Sequence, residues 1–109
     1  MKVCTYLRQT PIGQFKRLGI FFNETTIIDV NLIWQKQFEL DGVYDAKEKA
    51  LDVAPVSLSS FIKKYQDASF EILEETIDAF KEFSSNGILK TKDGADLSFD
   101  LLDDKEVKL

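Results

Sequence analysis

The chain has 109 residues and is acidic, with 19 Asp and Glu against 14 Lys and Arg and a formal net charge of −5. Phosphate groups are bound by clustered cations, and the pairs Lys16 with Arg17 and Lys63 with Lys64 are diluted by acids, so we expect neither nucleic acid nor an anionic membrane surface as partner. A hydrophobic share of 44% with nine Phe argues against disorder, and the length suits one domain spanning residues 1–109.

The sequence contains no histidine and a single cysteine, Cys4. Catalytic triads, Cys–His pairs and His-based zinc sites are therefore excluded within this chain. A lone Cys in a first strand is expected to behave as a small buried hydrophobe rather than as a nucleophile. The opening residues do not resemble a secretory leader, and no apolar run approaches the roughly 18 residues of a membrane span, so we expect a cytoplasmic protein.

The first third of the chain is predicted to form β-structure. Residues 3–8 alternate with a period of two, and residues 11–13 end that run. A second strand is predicted at 15–22, where Gly19 indicates a bulge or a close backbone approach. After a short turn, the β-branched segment 26–30 predicts a third strand that forms a hairpin with the second.

Helices are predicted in the middle of the chain. Asn31 is a candidate N-cap for a helix at 32–40, and a weaker helix is predicted at 44–54. Ser57 is a plausible N-cap for a third helix, which carries Leu58, Phe61, Ile62 and Tyr65. The clearest helix is 70–83, whose predicted apolar side consists of Phe70, Leu73, Ile77 and Phe80.

The last part of the chain, from residue 88 onward, is again predicted to form β-structure. Residues 88–92 and 95–101 flank Asp93 and Gly94, a strong turn signal, and predict a further hairpin. Residues 106–109 begin one more strand. The whole pattern predicts an α+β fold in which a small antiparallel, barrel-like sheet packs with three or four helices.

Lys16 with Arg17 could bind an anion, but no Gly-rich loop leads into a helix N-terminus, so a strand edge or a hairpin face explains the pair better. Three further groups of residues are candidates for chemistry or binding. Glu71, Glu74, Glu75 and Asp78 share a helix face that could gather a cation, although a solvated face near the helix N-terminus explains them better. Asp100, Asp103 and Asp104 do not have EF-hand spacing and are interpreted as turn residues. Trp34 and Phe38 could form a ligand pocket or a partner surface, although aromatics at helical spacing are more often core. We therefore assign no catalytic, cofactor-binding or metal-binding residue.

Three motifs occur in a fixed order: Met1-Lys2-Val3, Arg17-Leu18-Gly19-Ile20 and Ile27-Ile28-Asp29-Val30. This order resembles the amino-terminal domain of the fumarylacetoacetate hydrolase family, which includes fumarylpyruvate hydrolase and 2-hydroxyhepta-2,4-diene-1,7-dioate isomerase-like proteins. Residues 57–61 and 106–109 also fit, so the resemblance covers essentially the whole chain. The segment 41–54 and the long acidic helix 70–83 depart from the family pattern.

The resemblance implies a non-catalytic accessory domain that supports the catalytic domain or the dimer of a longer enzyme. Members of the family hydrolyse carbon–carbon bonds of oxo acids, or decarboxylate, isomerise or hydrate them, with a divalent metal, Mg²⁺ or Mn²⁺, held in the carboxy-terminal domain. No position here matches those ligands, so the isolated chain is expected to lack activity and cofactor, with its own catalytic domain as partner. The alternative is a free-standing acidic interaction module that binds a partner protein through an apolar patch around Trp34 and Phe38.

Overall fold

The computed structural model describes residues 1–101 and 107–108, which form one α+β unit. Its strands are β1 (Lys2–Thr10), β2 (Gly13–Phe21), β3 (Thr26–Asp29), β4 (Ser98–Asp100) and β5 (Val107–Lys108). Its helices are α1 (Val30–Leu40), α2 (Ala46–Val53), α3 (Leu58–Tyr65) and α4 (Ser69–Ser85), with a short 3₁₀ turn at Gln66–Ala68. The predicted α+β class is confirmed.

The strands form a single antiparallel sheet in the order β4-β3-β2-β1-β5. The predicted hairpin of β2 and β3 is confirmed, and its turn is held by Asn23, whose side-chain oxygen accepts the backbone N–H groups of Thr25 and Thr26 at 2.9 and 2.8 Å. Strands β4 and β5 lie at opposite edges. The sheet was predicted to be barrel-like. Among the described strands it is open, because its two edge strands do not pair with each other.

The predicted tail hairpin is only partly correct. Residues on either side of the Asp93 and Gly94 turn make one isolated bridge, between Lys90 and Asp96, and the Leu97 N–H donates to the Leu89 carbonyl at 3.0 Å. Beyond that point β4 pairs with β3 instead of with residues 88–92. This exchange of partners buries Leu97 and Phe99, which explains why it is favoured over a free hairpin.

The main core lies between one face of the sheet and the helices. Its buried members are Leu18, Ile20, Ile28, Val30, Ile33, Ala54, Phe61, Leu73, Phe80, Phe83 and Leu97. Helix α4 buries Leu73, Thr76, Phe80 and Phe83, so its inward stripe begins after the first turn. Phe70 lies in that first turn and is 58% exposed, so its predicted place on the inward, apolar side of the helix is wrong.

The other face of the sheet carries a smaller cluster of Tyr6, Ile27 and Phe99. Gly19 lies beneath it, and a Cβ atom there would come within 2.6 Å of the Ile27 Cγ2 and 3.2 Å of the Tyr6 Cδ1. Of the two explanations offered for this glycine, the structure supports the close approach. A side chain at position 19 would push β3 and β1 away from β2.

Candidate functional site

Asp29 is the most deeply buried acid among the described residues, and it lies where β3 passes into α1. Arg17 donates to it twice, from Nε to Oδ2 at 2.6 Å and from Nη2 to Oδ1 at 3.1 Å. The Tyr6 hydroxyl donates to Oδ2, and the Leu32 backbone N–H donates to Oδ1 at 2.8 Å. We call Tyr6, Arg17 and Asp29 the buried polar triad.

Strand register brings the triad together. Tyr6 lies opposite Arg17 in the pairing of β1 with β2, and Gly19 lies opposite Asp29 in the pairing of β2 with β3. Side chains two residues apart in a strand share a face, so Arg17 lies on the same face as Gly19 and can reach the carboxylate diagonally. Because Gly19 has no side chain, the side chains of Tyr6 and Ile27 can pack closely over β2 at this position.

The N-cap of α1 is Asp29, so the prediction of Asn31 for that role is wrong. Asp29 has extended backbone and accepts the Leu32 N–H, which is the geometry of a capping carboxylate. Asn31 instead lies in the first turn, where its amide donates to the Ala54 carbonyl at 2.9 Å and its oxygen accepts Arg17 Nη2 at 3.1 Å. It thereby ties the triad to the end of α2.

The electrostatics of the triad favour a neutral tyrosine beside an ion pair. Burial raises the pKa of Tyr6 well above its ordinary value, and the charge and hydrogen bond of Asp29 raise it further. Burial opposes the charge of Arg17, but the hydrogen bond and charge of Asp29 outweigh it and raise the Arg17 pKa. At neutral pH Tyr6 is therefore a hydrogen-bond donor and is unsuited to act as a base.

Asp29 has no capacity left for a further ligand. A carboxylate offers about four lone-pair sites, and here two donors meet each oxygen: Tyr6 and Arg17 Nε at Oδ2, Arg17 Nη2 and Leu32 N–H at Oδ1. A metal ion or a substrate would have to displace one of these buried bonds. The triad is thus built to hold strands and a helix together.

A cavity of about 330 Å³ adjoins the triad. Its walls include Arg8, Arg17, Gln35, Lys47 and Phe99. The Arg8 guanidinium lies 4.2 Å from the centre of the Phe99 ring, and Lys47 lies 4.0 Å from Asp93. Charges of both signs line this cavity. It is therefore polar, but its charges are not arranged to bind an anion or a cation selectively.

The sequence candidates do not gather into a catalytic centre. Glu71, Glu74, Glu75 and Asp78 are all exposed on α4. Within residues 1–101 and 107–108, no group of three or more Cys, Asp or Glu is placed to hold a metal ion. Asp100 is half-buried in β4, while Asp103 and Asp104 lie outside the described residues.

Cys4 lies half-buried in β1, opposite Gly19. Burial raises the pKa of its thiol, and the charge of Lys2 opposes that shift only in part. A raised pKa lowers the thiolate fraction at neutral pH, and the thiolate is the reactive form. The expectation that Cys4 packs as a small hydrophobe agrees with its contact with the Tyr6, Ile27 and Phe99 cluster.

Trp34 and Phe38 are half-buried on α1, with ring centres 6.4 Å apart. The Trp34 indole N–H donates to the Thr76 hydroxyl of α4 at 2.9 Å, and that hydroxyl donates to the Ile72 carbonyl at 2.8 Å. Trp34 thus joins α1 to α4. A partner surface around these two aromatics stays a prediction.

Neither the triad nor a groove beside α4 is predicted from the sequence. Two signals were available for the triad: Asp29 is a charged residue inside the otherwise apolar run of residues 27–30, and Arg17 and Asp29 both belong to the quoted motifs. The groove, of about 830 Å³, lies between α4 and the β2–β3 turn and is lined by Phe22 and Phe70 among others. The groove is harder to predict from the sequence, because Phe70 fits the helical periodicity of the buried residues of α4.

No helix in the described part of the chain is both long and apolar enough to cross a bilayer. Comparison of the chain with protein-family models, with curated proteins and with solved structures gave no match.

Proposed function

We propose that this chain is the non-catalytic amino-terminal domain of a fumarylacetoacetate hydrolase-like, metal-dependent enzyme that acts on oxo acids. The observation that carries the proposal is the meeting of the second and third motifs in one place. Arg17 of the second motif pairs with Asp29 of the third, and Gly19 of the second admits Ile27 of the third. Residues far apart in a motif pattern that meet in one buried cluster form a structural unit.

The four hydrogen bonds that the Asp29 carboxylate accepts favour a structural role for this residue over a catalytic one. A catalytic acid or base must exchange a proton with a substrate, which requires hydrogen-bond reach to that substrate. Asp29 is fully buried and its oxygens accept four protein donors, while the raised pKa of Tyr6 keeps its proton in place. The triad fixes the sheet and the start of α1.

In this proposal the chain's partner is its own catalytic domain, in a cytoplasmic enzyme that can form a homodimer. The Mg²⁺ or Mn²⁺ belongs to that catalytic domain, and no residue of this chain is assigned to it. Hydrolysis of a carbon–carbon bond, decarboxylation, isomerisation and hydration are the reaction types open to the whole enzyme in this proposal. The domain's contribution is a rigid surface beside or over the catalytic half.

The test is a turnover assay on the purified 109-residue chain. Fumarylpyruvate and other acylpyruvates would be followed by their enol absorbance with Mg²⁺ or Mn²⁺ present. We expect the rate to equal that of metal ion without protein. Metal-dependent turnover that disappears when Asp29 is changed to Asn would contradict the proposal, because it would place the chemistry in this chain. A trace contaminant would be recognised because its rate would survive that substitution.

A further inference from the structure

The side of β2 that faces away from β1 is only partly covered. Strand β3 pairs with residues 19–21 of β2, and next to them the Leu18 N–H donates to the Val56 carbonyl at 2.6 Å. Among the described residues, no strand pairs with residues 13–17 on this side, and β5 lies on the far side of β1. Residues 14–16 are exposed, unlike the paired end of the strand. We call residues 14–16 the open edge of β2.

The alternation of the backbone shows which groups this edge offers. In an antiparallel ladder, successive residues of a strand direct their N–H and C=O groups to opposite neighbours. Leu18 directs its N–H away from β1, so Lys16 and Gln14, two and four residues earlier, do the same. Phe15 and Arg17 direct theirs to β1. Lys16 and Gln14 thus present two N–H and two C=O groups to which an added strand can bond.

The charge of the β1–β2 hairpin differs from that of the rest of the chain. Strands β1 and β2 contain four cations and no acid, whereas the whole chain has a net charge of −5. Asp29 neutralises Arg17, but Lys16 makes no ion pair within the described part of the chain. An acidic segment therefore finds an opposite charge at this edge, while the net charge of the rest of the protein repels it.

Phe15 supplies an apolar contact on the other face of the same edge. Side chains alternate along a strand, so Phe15 lies on the opposite face from Lys16, and it is 46% exposed. In a strand added beside β2, the residue opposite Lys16 shares the face of Lys16, and its two neighbours share the face of Phe15. The segment that fits is extended, with an acid opposite Lys16 and an apolar residue on each side of that acid.

We propose that the open edge of β2 binds an extended, acidic segment of a partner protein by antiparallel strand addition, with the acid opposite Lys16. Lys16 and that acid exchange two backbone hydrogen bonds, and Gln14 bonds to the residue two positions along. A second copy of this chain fits less well, because it brings its own Lys16, and lysine opposes the pairing of two strand edges. The proposal concerns a surface of this chain alone and does not depend on the accessory-domain proposal.

Hydrogen exchange of single amides, followed by NMR on the isotope-labelled chain, tests the proposal. In the free protein the amides of Gln14 and Lys16 should exchange faster than those of Phe15 and Arg17, which bond to β1. The probe is the capped peptide Thr-Val-Glu-Val-Thr at about 1 to 5 mM, a range that detects weak binding. It should slow exchange at Gln14 and Lys16. The same peptide with Lys in place of Glu should bind about fivefold more weakly.

Two variants separate the backbone contribution from that of the charge. Gln14→Pro removes an outward N–H and obstructs the edge, so it should abolish the protection of the Lys16 amide. Lys16→Glu should reverse the preference, so that the Lys peptide binds more tightly than the Glu peptide. Lys81→Glu is the matched control, because it makes the same charge change beside the opposite end of β2, and it should leave the preference unchanged. Circular dichroism would check that every variant keeps its fold.

Three results would overturn the proposal. The first is the absence of added protection at Gln14 and Lys16 with the Glu peptide at about 5 mM. The second is equal affinity of the wild-type chain for the two peptides, which would remove the role of the charge. The third is protection of these amides that grows with protein concentration when no peptide is present, since it would assign the edge to a second copy.

Discussion

Arg17 and Asp29 face each other across β2 and β3 with two parallel hydrogen bonds, of 2.6 and 3.1 Å. The carboxylate is fully buried, while the Arg17 side chain keeps 22% of its surface exposed. This bidentate geometry gives direction as well as energy, and it fixes where β3 ends and α1 begins. The stability of the domain should therefore depend on this pair more than on any surface ion pair.

Removing the charge of Asp29 should be strongly destabilising. Asp29→Asn retains a capping side chain for α1 but leaves the partly buried Arg17 without its counter-charge, which should lower the free energy of unfolding by about 3 to 5 kcal/mol. Urea unfolding followed by circular dichroism measures this. Asp96→Asn is the matched control, because Asp96 pairs with Lys90 on the surface and its loss should cost at most about 1 kcal/mol. Equal effects of the two substitutions would refute the structural role given to Asp29.

High pH should weaken the fold through Tyr6. Its pKa is raised in the folded state, so the unfolded chain releases the proton first, near the ordinary Tyr value of about 10. The stabilisation is complete below that pH and declines above it, by about 1.4 kcal/mol for each pH unit. Unfolding free energies at several pH values between neutrality and about 11.5 would show this slope.

Tyr6→Phe is the control for that pH dependence. It keeps the ring that packs 5.3 Å from Phe99 and removes the hydroxyl that donates to Asp29. At neutral pH it should lower the unfolding free energy by about 1 to 3 kcal/mol, because a buried acceptor loses a partner. Above pH 10 its stability should fall less steeply than that of the wild type. Parallel slopes in the two proteins would show that another group is responsible.

Gly19→Ala tests the close approach of the strands. The added Cβ would lie 2.6 Å from the Ile27 Cγ2, and overpacking of this kind should cost about 1 to 3 kcal/mol. Ile27→Ala removes the obstructing methyl group but leaves a cavity. The double variant should therefore be less destabilised than the sum of the two single ones, which unfolding measurements would show as a coupling energy. Simple additivity would mean that the two residues do not obstruct each other.

Cys4 should react slowly in the folded protein. Burial raises its pKa and also limits access, so modification by a disulfide reagent at pH 8 (about the thiol's usual titration range) should be slower than in urea-unfolded chain. Lys2→Met should slow it further, because the Lys2 charge favours the thiolate. A native rate equal to the unfolded rate would contradict the buried environment assigned to the thiol.

Local pattern in the sequence predicts most of the fold, and the failures have a common cause. Alternation and helical periodicity located β1 to β3 and α1 to α4, since these segments bury one face. The pattern cannot show that β4 pairs with β3 or that Phe70 is exposed, because both depend on distant partners. Arg17 and Asp29 were visible as motif residues, but their pairing depends on the register of β2 with β3.

We propose that this chain is the supporting half of a longer metal-dependent enzyme. Sequencing the transcript beyond the codon for Leu109 tests it most directly. We expect the reading frame to continue, through a proline-rich link, into a domain with a Glu-x-Glu pair and an Asp placed as metal ligands. A stop codon directly after Leu109 would contradict it.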